Sequence, residues 1–420
     1  MQYYFTEIEN YIMKTQILEY PEDIQDKVIY SLQDGKRLRP ILCIIFSGLE
    51  NNNLESLEKY KEKKLFHSIE INISNDEKKK IIYSVSAFIE HIHCLSLILD
   101  DLPEMDNDSM RRGKQSFHSK YNIDYTNFFI YYMFNRLSLS LNSILDTYID
   151  NNININLNPK NRNTLNNNIK FANKIKKLLS TNLNILLDGQ FNDLSSSSSS
   201  SFLEKSRTKK QDCSFLEKQD LKNPARKPRA LEGLKPSQFK YEIELILDFL
   251  ENIELEETTE LSQLIINNIE LNMKKTSSLF NLSICSGFLL QIWLKKYDLE
   301  NYKHIYEKLR IWSNILGYMF QISDDILDID DDAEKHNPNI CQIISKDNTS
   351  MLLQNGCEWL LENIKLLILE CNLDINMNMN MNMNTNTNTN TKLNINKKIY
   401  INLDSIKEII DKILKRIENT

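Results

Sequence analysis

Glycine and proline are scarce in this chain, eight of each in 420 residues. A β-sandwich or barrel draws on both at its many turns, so their scarcity, with apolar runs of helical length, argues for a mostly helical protein. Cysteine is too sparse and too scattered for a disulfide framework or a zinc site. The seven, at Cys43, Cys94, Cys213, Cys285, Cys341, Cys357 and Cys371, are odd in number and include no CxxC, which fits a reducing compartment. Basic charge is also short, with 51 Lys and Arg against 58 Asp and Glu for a net charge of −7, and this disfavours nucleic acid as a partner. By inspection no apolar run approaches the ~20 residues of a membrane span. The N-terminus, MQYYFTEIENYIMKTQILEYPED, has no basic flank followed by an apolar core, so no secretory signal is expected. The cytoplasm is the default location, with plastid or mitochondrion left open.

Helical periodicity runs from the first residues to the closing segment YINLDSIKEIIDKILKRIEN, and the chain reads as a single domain over residues 1–420. Three low-complexity stretches look like disordered insertions in it. Residues 151–168 are asparagine-rich, residues 195–235 begin with a serine run and continue through the basic string KSRTKKQ, and residues 372–397 contain Met-Asn and Thr-Asn alternation. The basic string reads as a solvated loop.

Against these absences stand two acidic clusters, DDLPEMD from Asp100 to Asp106 and DDILD from Asp324 to Asp328. Each closes an apolar helical run, and Pro103 should end the first by biasing Leu102 out of helical geometry. A helix C-terminus is the wrong place for acids. The macrodipole disfavours each by about 0.3 to 1 kcal/mol, and adjacent carboxylates repel, so something positive must offset them. Asp324 and Asp328 share one helical face, with Asp325 a step round. Oxygen-only ligands suit magnesium, which takes one or two carboxylates and completes its shell with water and phosphate. Either cluster alone reads as surface charge. The pair, with the basic motifs that accompany it, reads as two acidic rims for a diphosphate.

Those basic motifs are DGKRLRPIL, where Gly35, Lys36, Arg37 and Arg39 precede Pro40, and DSMRRGKQSFH, where Arg111, Arg112 and Gly113 follow the first acids. Pro40 at a helix start would place Lys36 and Arg39 beside free backbone donors, a natural anion site. Guanidinium forks suit phosphate oxygens, although adjacent arginines and acids also form ordinary surface ion pairs. Gly113 permits a tight exit. DGQFND, with Gln190 and Asp193, and MKKTSSLF, with Lys275 and Thr276, lie between the two acidic clusters.

In this order GKRLRP, the histidine of EHIHCLS, DDLPEMDNDSMRRGK, GQFND, KKT and FQISDDILD resemble the trans-isoprenyl diphosphate synthases, the farnesyl and geranylgeranyl diphosphate synthase family. The resemblance spans about residues 5–417 outside the insertions. It implies an all-α, isoprenoid synthase-type helical bundle around a central cavity, usually a homodimer. The activity implied is condensation of isopentenyl diphosphate with an allylic diphosphate, assisted by three Mg2+ ions, with Mn2+ an alternative. By the same resemblance Asp100, Asp101, Asp106, Asp324, Asp325 and Asp328 ligate metal, while Arg111, Lys275, Gln190 and Lys346 hold the allylic diphosphate. Lys36, Arg39, His93 and Arg112 hold isopentenyl diphosphate. The Thr276 carbonyl and the Gln190 side chain would steady a carbocation in a dry pocket, and no protein nucleophile is needed.

Product length is implied by Leu95 and Ser96. Leu95 lies five residues before Asp100, ~7.5 Å along the helix, and short-chain enzymes of the family carry an aromatic there. A leucine implies a C20 product, and leaves longer chains open. The chain departs from the family where FFIYYMFNRLSLSL replaces a small-residue segment, and where Ser345 and Lys346 replace Gly-Lys. These departures leave a weakly or non-catalytic partner subunit as the alternative. A terpene cyclase or head-to-head synthase is disfavoured by GKRLRP.

Overall fold

The computed structural model describes residues 1–49, 75–153, 159–197, 237–251, 253, 258–335, 337–382 and 399–417. Among these, strands occur as one two-residue pair, Met110–Arg111 with Lys114–Gln115, and almost everything else is helix. The all-α expectation holds. The chain divides into two compact units. The first is Met1–Asn182, Leu279–Ser313 and Leu361–Ile410, and the second is Leu183–Ser278, Asn314–Leu360 and Asp411–Thr420.

The first unit is organised on the helix Asn75–Asp100, whose residues from Ile81 to Ile92 are all buried. A helix with no wet face must be surrounded. Leu38–Phe46, Gln2–Tyr11, Glu22–Leu32 and Ile123–Ile153 all pack against it. Leu38–Phe46 is itself buried at all but its first residue, and it approaches Gly287 so closely that a Cβ there would sit 2.3 Å from the Cys43 carbonyl oxygen. The buried Gln291 Nε2 donates to the carbonyls of Phe46 and Tyr400, while its Oε1 accepts from the Tyr400 amide at 2.7 Å. It thus satisfies a helix-end carbonyl that has no partner in its own helix and ties down the chain at residue 400.

In the second unit a π-helical turn, Met273–Ser277, interrupts the helical run that begins at Thr259. Such turns recur at functional sites. Two glycines let neighbours reach its backbone. A Cβ at Gly189 would lie 3.0 Å from the Lys275 nitrogen, and one at Gly317 2.5 Å from the Ser277 Cα.

Two expectations need correction. Two helical stretches, Glu77–Asp100 and Thr259–Leu294, are long and apolar enough to cross a membrane, contrary to the reading by inspection; 89% of each window is buried inside the protein, which marks core helices. The asparagine-rich stretch 151–168 is helical at 151–153 and 159–168. Its anchor is tertiary, since buried Asn168 accepts a hydrogen bond from Trp293 Nε1 at 2.8 Å. Residues 195–197 and 372–382 likewise end helices. The rest of the low-complexity stretches, including KSRTKKQ and Cys213, lies outside the described residues.

Candidate active site

In the first unit the three cations of GKRLRP part company. Arg37 takes a left-handed φ of 53° as N-cap of the helix Leu38–Phe46, and its guanidinium turns inward. Nε and Nη2 donate to Glu9 at 2.6 and 3.3 Å, and Nη1 donates to Glu90 at 2.9 Å. Burial opposes the charge on Arg37, but Glu90 and Glu9 outweigh it and hold it protonated. Lys36 is exposed. Arg39, one residue into the helix, is buried against the Phe280 ring at 5.0 Å and places Nη1 3.1 Å from His93 Nε2.

His93 lies among arginines. Burial pushes its pKa well below the usual value, and the charges of Arg39, Arg112, Arg37 and Arg111 push it further, so it stays neutral and offers a hydrogen bond without adding charge. Its Nδ1 is buried with no hydrogen-bond partner among the described residues. A neutral imidazole 3.1 Å from Arg39 and within the field of further arginines suits a multivalent anion.

The first acidic motif folds back on itself. The helix ends at Asp100 as Pro103 predicts, and the Asp106 amide donates to the Asp100 carbonyl at 2.9 Å, returning Asp106 to the helix end. Arg111 supplies the missing positive charge. Its Nε donates to Asp101 at 2.8 Å, Nη2 also contacts Asp101, and Nη2 reaches Asp108 at 3.2 Å. Burial still leaves the Asp101 carboxyl above its ordinary value, with Arg111 opposing and Asp108 and Asp100 adding to the rise.

Arg111 is delivered by a hairpin whose two loop residues, Arg112 and Gly113, have φ of 53° and 75°. Both positive φ values mark the primed turn that suits strand twist. The hairpin is fastened to the end of the helix Glu22–Leu32, because Arg112 Nη1 donates to the Gln33 carbonyl at 3.1 Å and Lys114 Nζ to the Tyr30 carbonyl at 2.9 Å. A cavity of about 30 Å3, lined in part by Cys94, Asp101, Arg111 and Arg112, lies beneath it. Leu95 and Ser96 are both buried on the neighbouring helix.

In the second unit Asp324 and Asp325 fall in the last turn of the helix Lys303–Leu327, and Asp328 follows it, exposed, its amide still donating to the Asp324 carbonyl at 2.9 Å. Here too an arginine offsets the acids. Arg416 contacts Asp324, donates to Ser323 Oγ at 2.9 Å and lies over the Phe320 ring. Asp325 is buried, which raises its pKa to about 7 although hydrogen bonds from Gln321 and the Ile340 amide oppose the rise. Thr276 Oγ1 donates to Gln321 Oε1 at 2.7 Å, and Gln321 Nε2 donates to Asp325 Oδ1 at 2.8 Å. The Lys-Lys-Thr turn and the second acidic motif are thus joined by Gln321, the residue before ISDD, whose neutral amide carries no charge signal in FQISDDILD. Gln190 is buried beside this turn, its Oε1 without a hydrogen-bond partner among the described residues. Lys275 is half-buried, Lys346 is exposed as the first residue of a helix, and Asp193 lies in the helix Pro159–Ser197.

The donors fit a hard divalent ion. In each unit they are carboxylate oxygens at a helix end, already balanced by a guanidinium that a cation would replace. Among the described residues no group of three or more His, Cys, Asp or Glu is gathered to hold a metal. Magnesium takes one or two carboxylates and fills its shell from water and phosphate, chemistry that these oxygen donors match.

These motifs and this helical fold define a class. The polyprenyl synthetase family model matches residues 21–215 and 227–370, and the chain belongs to that family. It is 36% identical over 105 residues to the geranylgeranyl diphosphate synthase of Cyanophora paradoxa, an alignment covering 25% of this chain and 27% of that protein. The match thus spans about a quarter of the relative's length. Among solved structures, a geranyltransferase from Legionella pneumophila aligns with a TM-score of 0.51 at 20% identity, covering 87% of this chain and 90% of that one. A geranyltransferase from Helicobacter pylori, complexed with magnesium and isoprenyl diphosphate, aligns with a TM-score of 0.50 at 18% identity, covering 91% and 96%. These two likenesses establish the fold.

Proposed function

We infer that the protein is a trans-prenyltransferase that condenses isopentenyl diphosphate with an allylic diphosphate. The observation that carries this is the cluster of Arg39, Arg112, Arg37 and Arg111 around neutral His93, beside an acidic motif whose charge is balanced by arginine. Lys36, Arg39, His93 and Arg112 hold the isopentenyl diphosphate headgroup, and Arg111, Lys275 and Gln190 hold the allylic one, with Lys346 as a further contact. Magnesium, ligated through Asp100, Asp101 and Asp106 and through Asp324, Asp325 and Asp328, supplies positive charge for the departing diphosphate; the Helicobacter relative's complex with magnesium supports this choice. Three ions per site is the family expectation, and Mn2+ is an alternative.

The chain's own residues account for the rest. The Arg111 guanidinium and the Lys275 ammonium bind the allylic phosphate oxygens more tightly as charge builds on them, while Arg112 holds the other diphosphate in place. Thr276, Gln190 and Gln321 present oxygens from buried or half-buried positions, which steadies a carbocation and keeps water from it. The C20 product, geranylgeranyl diphosphate, is favoured by Leu95, which is buried and smaller than an aromatic ring. Leu95→Tyr is expected to shorten the product by one isoprene unit.

A homodimer is supported by exposed Phe128, Tyr131 and Leu139 on the helix Ile123–Ile153, where the chain replaces the family's small residues. The described cysteines are buried and none is in a disulfide, which supports a reducing compartment. The test is purified protein with magnesium, farnesyl diphosphate and labelled isopentenyl diphosphate, its products read by mass spectrometry. A twenty-carbon diphosphate is expected. A folded protein that elongates nothing alone, yet does so with an active synthase, would favour the partner-subunit reading.

A further inference from the structure

The motif Gly35 to Arg39 spends three unfavourable features on one residue that touches no expected substrate. Arg37 holds a left-handed φ of 53°, its side chain is fully buried, and Gly35 must lack a Cβ, since one there would lie 2.1 Å from Arg37 Nη1 and 2.9 Å from Glu90 Oε1. A non-glycine residue at positive φ is strained, because its Cβ crowds the following carbonyl oxygen. A buried ion pair recovers little net stability over apolar packing of the same volume. The second oxygen of Glu90 is buried with no hydrogen-bond partner among the described residues, a further cost. A stability role explains none of these well; a geometric role explains all of them.

Arg37 lies between Lys36 and the first turn that carries Arg39. Its guanidinium is gripped on one side by Glu9, from the helix Gln2–Tyr11, and on the other by Glu90, three residues before His93. The grip fixes the handedness of the loop and the start of the helix. Arg39 Nη1 then meets His93 Nε2 at 3.1 Å, and Lys36 is left pointing to solvent.

We propose that the Glu9–Arg37–Glu90 triad is a positioning device that presets Lys36 and Arg39 for the isopentenyl diphosphate headgroup, which makes the N-terminal helix part of that binding site. The proposal rests on the function inferred above.

The test is calorimetric titration of the full-length protein with isopentenyl diphosphate and, in parallel, with an allylic diphosphate, on wild type, Glu9→Gln, Arg37→Lys and Lys36→Ala, each with a urea melt. Glu9 is about one-third exposed, so Glu9→Gln is expected to fold and to weaken isopentenyl diphosphate binding about tenfold while allylic binding stays within about twofold. Arg37→Lys keeps the charge but cannot bridge both carboxylates, so it is expected not to rescue. Variants that lower stability yet bind isopentenyl diphosphate as wild type does, or that weaken both ligands equally, overturn the positioning role. If Arg37→Lys fails to fold, Glu9→Gln decides alone. A wild type that binds no isopentenyl diphosphate, or a Lys36→Ala variant that binds it unimpaired, overturns the functional reading itself.

Discussion

Gly317→Ala tests the packing that joins the second acidic motif to the Lys-Lys-Thr turn. A Cβ at Gly317 would lie 2.5 Å from Ser277 Cα, 2.9 Å from its Oγ and 3.0 Å from its Cβ. Carbon atoms pack at about 3.5 to 4.0 Å, so one helix must withdraw by about 1 Å from the other. The obstacle is backbone and has no rotamer to escape into. Overpacking of this kind costs about 1 to 3 kcal/mol. The same withdrawal acts on the 2.7 Å hydrogen bond from Thr276 to Gln321; stretched by ~1 Å it leaves hydrogen-bonding range and forfeits about 1 kcal/mol more. A urea melt should therefore show a loss of about 2 to 4 kcal/mol, and turnover should fall about tenfold to a hundredfold through misplacement at the site. Two comparators isolate the cause. At Gly356 the obstructing atoms are Met319 Sδ at 2.1 Å and Cε at 2.8 Å, the end of an adaptable thioether, so Gly356→Ala should cost less. At Gly113 nothing lies within 4 Å but φ is +75°, and Gly113→Ala should lose about 1 kcal/mol from backbone strain alone. A Gly317→Ala variant within about 0.5 kcal/mol of wild type, or no worse than Gly356→Ala, refutes the reasoning.

Burial holds His91 at a pKa of about 4 against an ordinary 6.5. The unfolded chain therefore takes up the proton first as pH falls, and this stabilisation, complete above pH 6.5, is lost toward pH 4 by about 3 kcal/mol. His91→Gln should flatten urea stability across that window, and an unchanged slope contradicts the assignment. Arg416→Gln removes the guanidinium from Asp324, a pair partly open to solvent and worth about 1 kcal/mol at most. Magnesium should then raise the melting temperature more than in wild type, and an equal or smaller rise tells against Arg416 as a competitor for the cation. Ser345 sits at φ 78° and ψ 159°, a region nearly reserved for glycine, where the family carries one. Ser345→Gly should gain about 1 kcal/mol, because the lost cap to the Asn348 amide at 3.3 Å costs only a few tenths; destabilisation in urea would show the cap to be the stronger term.

The helix ends were legible because their signals are local: acids after an apolar run, Pro103 as a stop, Gly113 at a turn. The sequence also demanded a positive charge for the misplaced acids, and it lay adjacent in the first case, as Arg111. In the second it came from Arg416, 92 residues away in sequence, beyond any spacing rule. GKRLRP showed three cations and could not say which turns inward, because that depends on Glu9 and Glu90, distant in sequence. Gln321 escaped assignment because an amide between an aromatic and two acids carries no charge pattern. The helix at 159–168 was missed because composition carried the reading, while Trp293 holds Asn168 from 125 positions on.

Gln291, reaching a helix-end carbonyl and both backbone groups of Tyr400, has a consequence for chain length. It pins the main chain where it returns from residues 383–398, so the register of the final helix Leu403–Lys415 does not depend on how many residues precede that pin. Changes of chain length ahead of Tyr400 are therefore expected to leave that register unchanged, and a reporter peptide spliced in ahead of the pin that lowered the melting temperature would contradict this.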